Sequence, residues 1–349
     1  MDDKEFWRSE KVAFLALASV KGVGFWTIHK IAQSGAGYKD LLKEPESAGL
    51  EKILKEAGFD GAEGQEKLWN VGLASARNLA ANAVTLIFKN EPTFPPKLRT
   101  IPDAPEWIFV QGSVENLAKN AVAVVGTRKP SDDGLFLTRY VVSSLANTEF
   151  VTVSGLALGI DQIAHTESIR YQLPTIAVLG TGILQNYPKG SEPLRSKILH
   201  AGGTVISEYL PEQSYSAENF VRRNRIQAAL GDILIPSEWQ IKSGTAHTVK
   251  FAHRYQKKII NIYLPGTMSE KPELEFSAKA YGALNLVIPF DTNKLLEAYE
   301  AILSTSPTEN EKLSNLNVKT IASDEKVESE SSEKNENLEA SESGQLPLI

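Results

Sequence analysis

The sequence predicts an α/β protein with a doubly wound, mostly parallel sheet, preceded by a small all-α domain and followed by an acidic tail. Apolar residues recur at helical spacing up to about residue 85, short β-branched runs then alternate with helical stretches, and the chain ends in Ser, Glu, Asn and Lys. Apolar strands that alternate with helices are typical of a parallel sheet covered on both faces. We therefore predict a helical domain over 1–85, a Rossmann-like domain over 86–303 and a disordered acidic tail over 304–349.

The composition is that of a water-soluble protein. The 349 residues are 42% hydrophobic and 23% charged, which is enough for two domains and a substantial core. The first residues lack the basic flank and apolar core of a signal peptide, and no apolar run approaches the roughly 20 residues that span a bilayer. The absence of cysteine excludes disulfides and thiolate metal sites. We expect a cytoplasmic protein that does not enter membranes.

Negative charge is concentrated at the end of the chain. Residues 304–349 contain ten Asp or Glu and four Lys, against 43 acidic and 37 basic residues in the whole chain. This segment accounts for the formal net charge of −6, so the preceding residues are neutral and local basic patches can determine what they bind. Three roles for the tail stay open: solubility, competition with nucleic acid for a basic groove, and docking of a partner through its apolar end, Leu346-Pro-Leu-Ile.

The helical domain is predicted from apolar residues that share helix faces. They are Val12, Leu15, Ala16, Val20, Ile28, Ile31, Leu41, Leu42, Leu68, Val71, Leu79 and Val84. Within this domain, Ser19-Val-Lys-Gly-Val-Gly-Phe-Trp-Thr-Ile resembles a helix-hairpin-helix turn, whose second helix commonly holds a DNA phosphate at its N-terminus. The alternative is a glycine turn that only connects two packed helices. This alternative is favoured because Lys21 is the only cation near the turn.

Nine short apolar runs predict the strands of the sheet. They are Val84-Thr-Leu-Ile-Phe, Trp107-Ile-Phe-Val, Val122-Ala-Val-Val, Val151-Thr-Val, Ile176-Ala-Val-Leu, Thr204-Val-Ile, Ile233-Leu-Ile, Ile259-Ile-Asn-Ile and Asn285-Leu-Val-Ile. The helical stretches between them favour parallel pairing, because parallel strands need long crossover connections. In such sheets ligands bind beyond the carboxyl ends of the strands.

Several strands run into segments rich in glycine and small polar residues. These segments are Gly126-Thr-Arg-Lys-Pro-Ser, Ser154-Gly-Leu-Ala-Leu-Gly-Ile-Asp, Gly180-Thr-Gly and Lys242-Ser-Gly-Thr. Backbone N–H groups in such turns, and at the helix N-termini behind them, form sites for anions. With the cations Arg128, Lys129, Arg222, Arg223, Arg225 and Lys242 close to them in sequence, they predict a phosphate-binding groove.

One stretch indicates that the ligand carries nucleobases as well as phosphates. Asn219-Phe-Val-Arg-Arg-Asn-Arg-Ile-Gln sets three guanidiniums and three amides around one aromatic ring. Arginine binds phosphate bidentately, and an aromatic ring stacks on a base. The stretch follows one predicted strand and precedes another, so it is expected at the end of the sheet where ligands bind.

Standard cofactor motifs are absent. No Walker-type phosphate loop is present, and Gly180-Thr-Gly lacks the third glycine of a dinucleotide-binding fingerprint. We therefore expect no NAD or ATP chemistry, no cofactor and no metal. Asp161 and His165 are four residues apart, as a metal-binding or acid-base pair on a helix would be, but an Asp at a helix start also serves as a cap.

Further motifs stand in order along residues from about 92 to 266. They are Pro92-Thr-Phe-Pro-Pro-Lys-Leu, Ile101-Pro-Asp-Ala-Pro, Val125-Gly-Thr-Arg-Lys-Pro-Ser, Ser154-Gly-Leu-Ala-Leu-Gly-Ile-Asp, Leu179-Gly-Thr-Gly, Tyr187-Pro, Ile206-Ser-Glu, Ser243-Gly-Thr and Leu264-Pro-Gly. Together they resemble the DNA-processing protein A (DprA/Smf) family. The resemblance implies an extended Rossmann fold that binds single-stranded DNA, forms a homodimer, and loads the RecA recombinase during transformation and recombination. It also implies a protein that is not an enzyme.

The resemblance assigns roles to individual residues. It implies that phosphates are held by Gly126, Thr127 and Arg128, by Ser154 and Gly155, and by Lys242, Ser243 and Gly244, that Phe220 stacks on a base, and that Arg222, Arg223, Asn224 and Arg225 surround that ring. Arg225 is expected to share a phosphate with Arg128 and Lys242. Which arginine faces the groove, and which one braces Glu208 or Glu238, stays open.

The sequence departs from the family near its end. Gln256 stands where a glycine is usual, and the expected Gly-x-Asn stretch is recognisable only as Gly282-Ala-Leu-Asn, at an edge associated with dimer contacts. The acidic tail takes the place of a winged helix.

Two other functions remain open. An enzyme or sensor for a small nucleotide would use the same loops and needs a carboxylate as general acid or base, for which Glu208 and Glu238 are the candidates. Each of these could instead neutralise an arginine. The second is a scaffolding role of the helical domain and the tail.

Overall fold

A computed structural model describes residues 3–305, so nearly all of the predicted tail, including Leu346-Pro-Leu-Ile, lies outside the described residues. The helices are α1 (Asp3–Ser19), α2 (Phe25–Ser34), α3 (Tyr38–Lys43), α4 (Glu51–Glu56), α5 (Gly61–Ala81), α6 (Pro96–Arg99), α7 (Asp132–Ser144), α8 (Ile160–Arg170), α9 (Glu192–His200), α10 (Ala217–Leu230), α11 (Gly244–Arg254), α12 (Pro272–Tyr281) and α13 (Thr292–Thr305). Short 3-10 helices span Pro45–Ala48, Val114–Ala118 and Met268–Glu270. Within residues 3–305, no helix is long and apolar enough to cross a membrane.

All nine predicted strands form, and they join one sheet. They are β1 (Val84–Phe88), β2 (Trp107–Gly112), β3 (Ala121–Gly126), β4 (Val151–Ser154), β5 (Thr175–Val178), β6 (Thr204–Ser207), β7 (Ile233–Glu238), β8 (Lys258–Tyr263) and β9 (Leu284–Val287). The strand order is β1-β2-β6-β5-β4-β3-β7-β8-β9. Strand β2 pairs antiparallel with both of its neighbours, β1 and β6, and all other neighbouring strands pair parallel. The predicted α/β fold with a mostly parallel sheet is confirmed.

The strand order reverses between β3 and β7. From β3 the chain builds outward through β4, β5 and β6, and then returns to place β7 on the other side of β3. These central strands are apolar on both faces, and Val122–Val125 are at most 3% exposed because helices cover both sides. The loops that leave β3 and β7 therefore diverge in opposite directions, which leaves a crevice at their carboxyl ends.

Helices α1 to α5 pack against the antiparallel end of the sheet. Phe14 of α1 lies with its ring centroid 5.5 Å from that of Phe88 and 5.0 Å from that of Trp107, so helices and strands share one core. Helix α5 approaches α1 closely at Gly72, where a Cβ would lie 2.3 Å from the carbonyl oxygen of Val12. The predicted boundary at 85/86 falls inside β1, and the helices and the sheet belong to one compact unit, residues 1–296.

The predicted glycine-containing turn is present between α1 and α2. Gly22 has a φ of +98°, which favours glycine, and Gly24 is the N-cap of α2 in an extended conformation. Binding of a DNA phosphate by this turn stays a prediction.

At the opposite edge of the sheet, β9 pairs with β8 alone among the described strands. Gln256, in the turn before β8, has a φ of +58°, which is the left-handed conformation that favours glycine. A glycine would adopt this conformation with less strain than Gln256 does.

Candidate functional site

A groove of about 1170 Å³ opens at the carboxyl ends of the central strands. The segments after β3, β4, β5, β6, β7 and β8 all contribute to its lining. Six parallel strands thus deliver their following loops to one cavity, at the point where the strand order reverses.

The loop after β3 forms the basic wall of the groove. The N–H of Thr127 donates to the carbonyl of Glu238, 2.8 Å away, and the carbonyl of Thr127 accepts from the N–H of Ile160 at 3.1 Å. Gly159 has a φ of +81° and approaches so closely that a Cβ would lie 2.4 Å from the same carbonyl. Fastened on both sides, this loop holds Arg128 and Lys129 exposed at the groove.

Phe220 lies in this groove beside a cation. Its ring edge rests on the backbone of Gly180, where a Cβ would lie 2.4 Å from the ring. The guanidinium carbon of Arg128 is 5.3 Å from the ring centroid, within the range of a cation–π contact. Arg128, which is predicted to hold a phosphate, and Phe220, which is predicted to stack on a base, are therefore adjacent.

Two tyrosines extend this aromatic surface. The centroid of Tyr187 is 5.1 Å from that of Phe220 and 4.4 Å from that of Tyr215. Tyr215 is 57% exposed. Sequence reasoning missed both as site residues: Tyr187 stood in a quoted motif without a role, and no periodic pattern marks Tyr215.

The N-terminus of α11 forms another part of the wall. Ser243 caps the helix by accepting from the N–H of Ala246 at 3.3 Å, and Nδ2 of Asn224 donates to the carbonyl of Gly244 at 3.0 Å. Gly244 is exposed, and a Cβ built on it would meet no atom within 4 Å. The first-turn N–H groups of α11 are thus accessible to an anion in the groove.

The groove also has an acidic wall. Glu238, Glu270 and Glu273 line it, and burial raises the pKa of Glu273 above its ordinary value. Oε2 of Glu238 accepts from the N–H of Ser131 at 2.9 Å, so this carboxylate braces the start of α7. The groove is therefore bipolar, with cations and helix N–H groups on one side and carboxylates on the other.

Ser154 and Gly155 support the groove from beneath and do not line it. Ser154 is fully buried and its Oγ donates to the carbonyl of Val124 at 2.7 Å. A Cβ on Gly155 would lie 2.2 Å from Nη1 of Arg223, which explains the need for glycine. The described geometry does not support the prediction that these two residues hold a phosphate, because neither of them lines the groove.

Arg223 lies at the floor of the groove, but its guanidinium forms hydrogen bonds inside the protein. It is 4% exposed, and Nη1 donates to the carbonyl of Gly155 at 2.8 Å and to that of Val178. Burial lowers its pKa, while the neighbouring Asp161 acts in the opposite direction. It fixes the loop after β4 and is not a free phosphate ligand.

Arg225 forms a buried ion pair with Glu208. Its Nη1 and Nη2 lie 2.7 and 2.6 Å from the two carboxylate oxygens, and its Nε donates to the carbonyl of Asp103 at 2.9 Å. The side chains of Arg225 and Glu208 are 3% and 2% exposed. The prediction that Arg225 shares a phosphate with Arg128 and Lys242 is therefore wrong, and its alternative, bracing Glu208, is what the structure shows.

Arg222 and Lys242 also lie outside the groove. Arg222, two residues after Phe220, points to the opposite side of α10, where its guanidinium lies over Trp26. Lys242 is exposed and lines an adjoining pocket of about 400 Å³ together with Ser243 and Gly244. The ring of Phe220 is instead contacted by Arg128, which was predicted to hold a phosphate.

Asp161 and His165 are each engaged by partners inside the protein. Asp161 accepts hydrogen bonds from the backbone N–H groups of Gly155 and Ala157, and burial raises its pKa. Nδ1 of His165 lies 2.7 Å from Oγ1 of Thr175, and burial lowers the histidine pKa to about 3, so the ring is neutral. Within residues 3–305, no group of three or more His, Asp or Glu side chains could hold a metal ion.

Comparison with known proteins identifies the family. Residues 85–281 match the model of the family described as DNA recombination-mediator protein A. The chain belongs to this family. Across 308 residues it is 31% identical to the protein Smf of Synechocystis, over 84% of this chain and 74% of that protein.

Other members of the family are also similar to this chain. The DNA processing protein DprA of Streptococcus pneumoniae is 37% identical over 175 residues, which is 50% of this chain and 61% of that protein. Its solved structure has a TM-score of 0.58 at 27% identity, over 80% of this chain and 94% of that chain. A structure of DNA processing protein A from Helicobacter pylori, which concerns the single-stranded DNA binding mode of that protein, has a TM-score of 0.54 at 27% identity. It covers 62% of this chain and 96% of that chain.

The residues that the family resemblance assigned thus fall into three groups. Gly126, Thr127, Arg128, Phe220, Asn224, Ser243 and Gly244 line the groove with their side chains or backbone. Ser154, Gly155, Arg223 and Arg225 hold it together, and Arg222 and Lys242 face neighbouring pockets.

Proposed function

We propose that the groove binds single-stranded DNA. The observation that carries this proposal is the position of Phe220, whose ring centroid lies 5.3 Å from the guanidinium carbon of Arg128 and 5.1 and 6.3 Å from the ring centroids of Tyr187 and Tyr215. Phosphates lie along Arg128, Lys129 and the first turn of α11, and bases stack on the aromatic surface. The relative from H. pylori, whose structure concerns its single-stranded DNA binding mode, supports the choice of ligand.

A single strand fits this arrangement better than a duplex does. Stacking on Phe220 and Tyr215 requires a base face that is free, and the faces of paired bases are covered by their neighbours. The second backbone of a duplex would also bring phosphates towards Glu270 and Glu273 on the acidic wall. Both features favour unpaired bases.

We further propose that the protein acts as a mediator that loads the RecA recombinase during transformation or recombination. The family membership supports this role. In this proposal the protein acts in the cytoplasm as a homodimer. The outer side of β9 offers an edge for pairing, and Leu284 on that strand is 45% exposed.

Binding without catalysis is part of the same proposal. The two carboxylates considered as general acids or bases are engaged elsewhere: Glu208 in the ion pair with Arg225, and Glu238 at the N–H of Ser131. A general base must reach the proton that it removes, and both groups are committed to structural partners. Their positions favour a binding site over a nucleotide-transforming enzyme.

The test is a titration of a labelled oligo-dT at several salt concentrations. Arg128→Ala removes about one phosphate contact, so the slope of log K against log salt should become shallower by about 0.7. Phe220→Ala should weaken binding by about 1 to 3 kcal/mol and leave that slope unchanged.

Two control variants match these changes. Arg170→Ala removes another exposed cation that lies over a ring, 5.8 Å from Tyr171, and Phe6→Ala removes a ring that is 43% exposed; neither residue lines the groove. Both should bind like the wild type. Unchanged affinity in Arg128→Ala and Phe220→Ala would contradict the proposal.

A further inference from the structure

A second pocket lies on the other side of α10 from the groove. It has a volume of about 600 Å³ and lies between the helical bundle and the segment after β6. Its walls come from α1, the start of α2 and the turn before it, α5 and the start of α10. This volume is typical of sites for small organic groups.

Trp26 supplies an aromatic surface in this pocket. It is 55% exposed, although indole rings usually bury most of their area. The guanidinium carbon of Arg222 lies 4.5 Å from its ring centroid. Arg222 is itself fixed, with Nε 3.5 Å from Glu208 and Nη2 3.3 Å from Nε2 of His29. The tryptophan is thus held in place from one side while half of its surface remains open.

Polar groups around the pocket select what part of a ligand can enter. The amides of Asn78, Gln213 and Asn219 can both donate and accept hydrogen bonds, as base edges require. The carboxylates of Glu212 and Glu218 accept from base N–H groups but repel phosphates. A nucleobase therefore fits the pocket, and its phosphate does not.

The first turns of α10 form a wall of both cavities. Phe220 and Val221 line the groove, whereas Glu218, Asn219 and Arg222 line the second pocket. Residues two apart on a helix point in nearly opposite directions, so Phe220 and Arg222 are separated by about one helix diameter, roughly 10 Å. A stacked strand advances about 3.4 Å per nucleotide, so about three nucleotides span that distance.

We propose that a strand bound in the groove continues over the start of α10 and places a further base in the second pocket, on Trp26. This inference rests on the proposed single-stranded DNA binding. It gives the glycine hairpin before α2 a role, because that turn places Trp26 at the pocket.

The experiment measures affinity for oligo-dT of increasing length, with wild-type protein, Trp26→Ala and Trp26→Phe. For oligonucleotides that fill only the groove, all three should bind alike. Once the strand is about three nucleotides longer, wild-type affinity should rise, and Trp26→Ala should lose this gain, a loss of about 5- to 100-fold. Trp26→Phe keeps a ring and should retain most of it. Thermal unfolding should be the same for all three, since the side chain is half exposed.

The outcomes separate the two proposals. If the wild type binds no oligonucleotide, the proposed function fails and this inference fails with it. If Phe220→Ala weakens binding at every length but Trp26→Ala behaves as the wild type at every length, the groove stands and the second pocket does not take a base. An equal loss at all lengths in Trp26→Ala would also overturn the inference, because Trp26 would then act through the groove.

A photocrosslinking experiment supplies an independent readout. A single 5-iododeoxyuridine is moved along a dT oligonucleotide, and the crosslinked peptide is identified by mass spectrometry. One position should crosslink to the peptide that contains Trp26, about three nucleotides from the position that crosslinks to Phe220. Crosslinks confined to groove residues at every position would contradict the proposed path.

Discussion

Replacement of Arg225 by alanine should destabilise the fold and leave the electrostatics of DNA binding unchanged. In the structure this arginine makes two hydrogen bonds to Glu208, and both side chains are at most 3% exposed. Arg225→Ala therefore leaves a buried carboxylate whose remaining cationic neighbour is Arg222, with Nε 3.5 Å away. An unpaired buried charge is costly because it has lost both water and its partner.

The expected magnitude follows from this burial. Removal of one partner of a buried ion pair costs about 3 to 5 kcal/mol. At about 2 °C per kcal/mol for a chain of this size, the Tm should fall by about 6 to 10 °C. Arg128→Ala, which removes an exposed side chain, should change the Tm little.

Thermal unfolding by circular dichroism, followed by salt-dependent binding of oligo-dT, tests both parts. Arg225→Ala should be unstable with the wild-type salt slope, and Arg128→Ala should be stable with a shallower slope. The double variant Glu208→Leu, Arg225→Met should recover much of the stability, because apolar residues of similar volume replace the pair. It also allows the slope to be measured if Arg225→Ala does not fold. A normal Tm together with a shallower slope in Arg225→Ala would show that the arginine faces DNA and would refute this reasoning.

Three further predictions concern the walls of the groove. Gly244→Ala should keep or slightly raise the Tm, since its Cβ meets no atom within 4 Å, but it should weaken oligo-dT binding by about tenfold by covering the first N–H groups of α11; equal affinity would show that no phosphate lies there. Gly180→Ala would place a methyl 2.4 Å from Phe220 and should reduce affinity in the same way as Phe220→Ala, measured by the same titration; a normal affinity would mean that the ring position is unimportant. Glu273 has a raised pKa, so it should become neutral as the pH falls, earlier than an ordinary glutamate, and affinity should rise by about twofold for a phosphate roughly 10 Å away. Glu273→Gln should bind about twofold more tightly at neutral pH with a flatter pH profile, and an unchanged profile would exclude Glu273 as the cause.

The sheet was predictable because the sequences of its central strands show the apolar pattern of buried parallel strands. Runs such as Val122-Ala-Val-Val and Ile233-Leu-Ile are apolar on both faces, and this pattern requires a buried parallel strand. The loops after them were also recognisable, since tight strand-to-helix turns with exposed cations contain glycine. The groove at their carboxyl ends followed from these two features together.

The orientation of the arginines was not predictable from the same information. Helix α10 is central, and every residue from Arg223 to Leu230 is buried, so no polar face indicates which side chain meets solvent. The partner of Arg225 is Glu208, on the segment after β6, and only the packed sheet brings the two together. Tyr215 joins Phe220 through a loop that has no regular pattern. Contacts of this kind depend on tertiary structure and leave no local periodicity.

The most direct measurement of the central claim is a competition between single-stranded and duplex DNA of the same sequence. A labelled oligo-dT is bound to the full-length protein at fixed salt, and unlabelled single strand or duplex is added while fluorescence anisotropy is followed. If bases stack on Phe220 and the tyrosines beside it, the single strand should displace the label at a much lower concentration than the duplex, and Phe220→Ala should reduce this difference. Equal or stronger displacement by the duplex would contradict the assignment of this groove to single-stranded DNA.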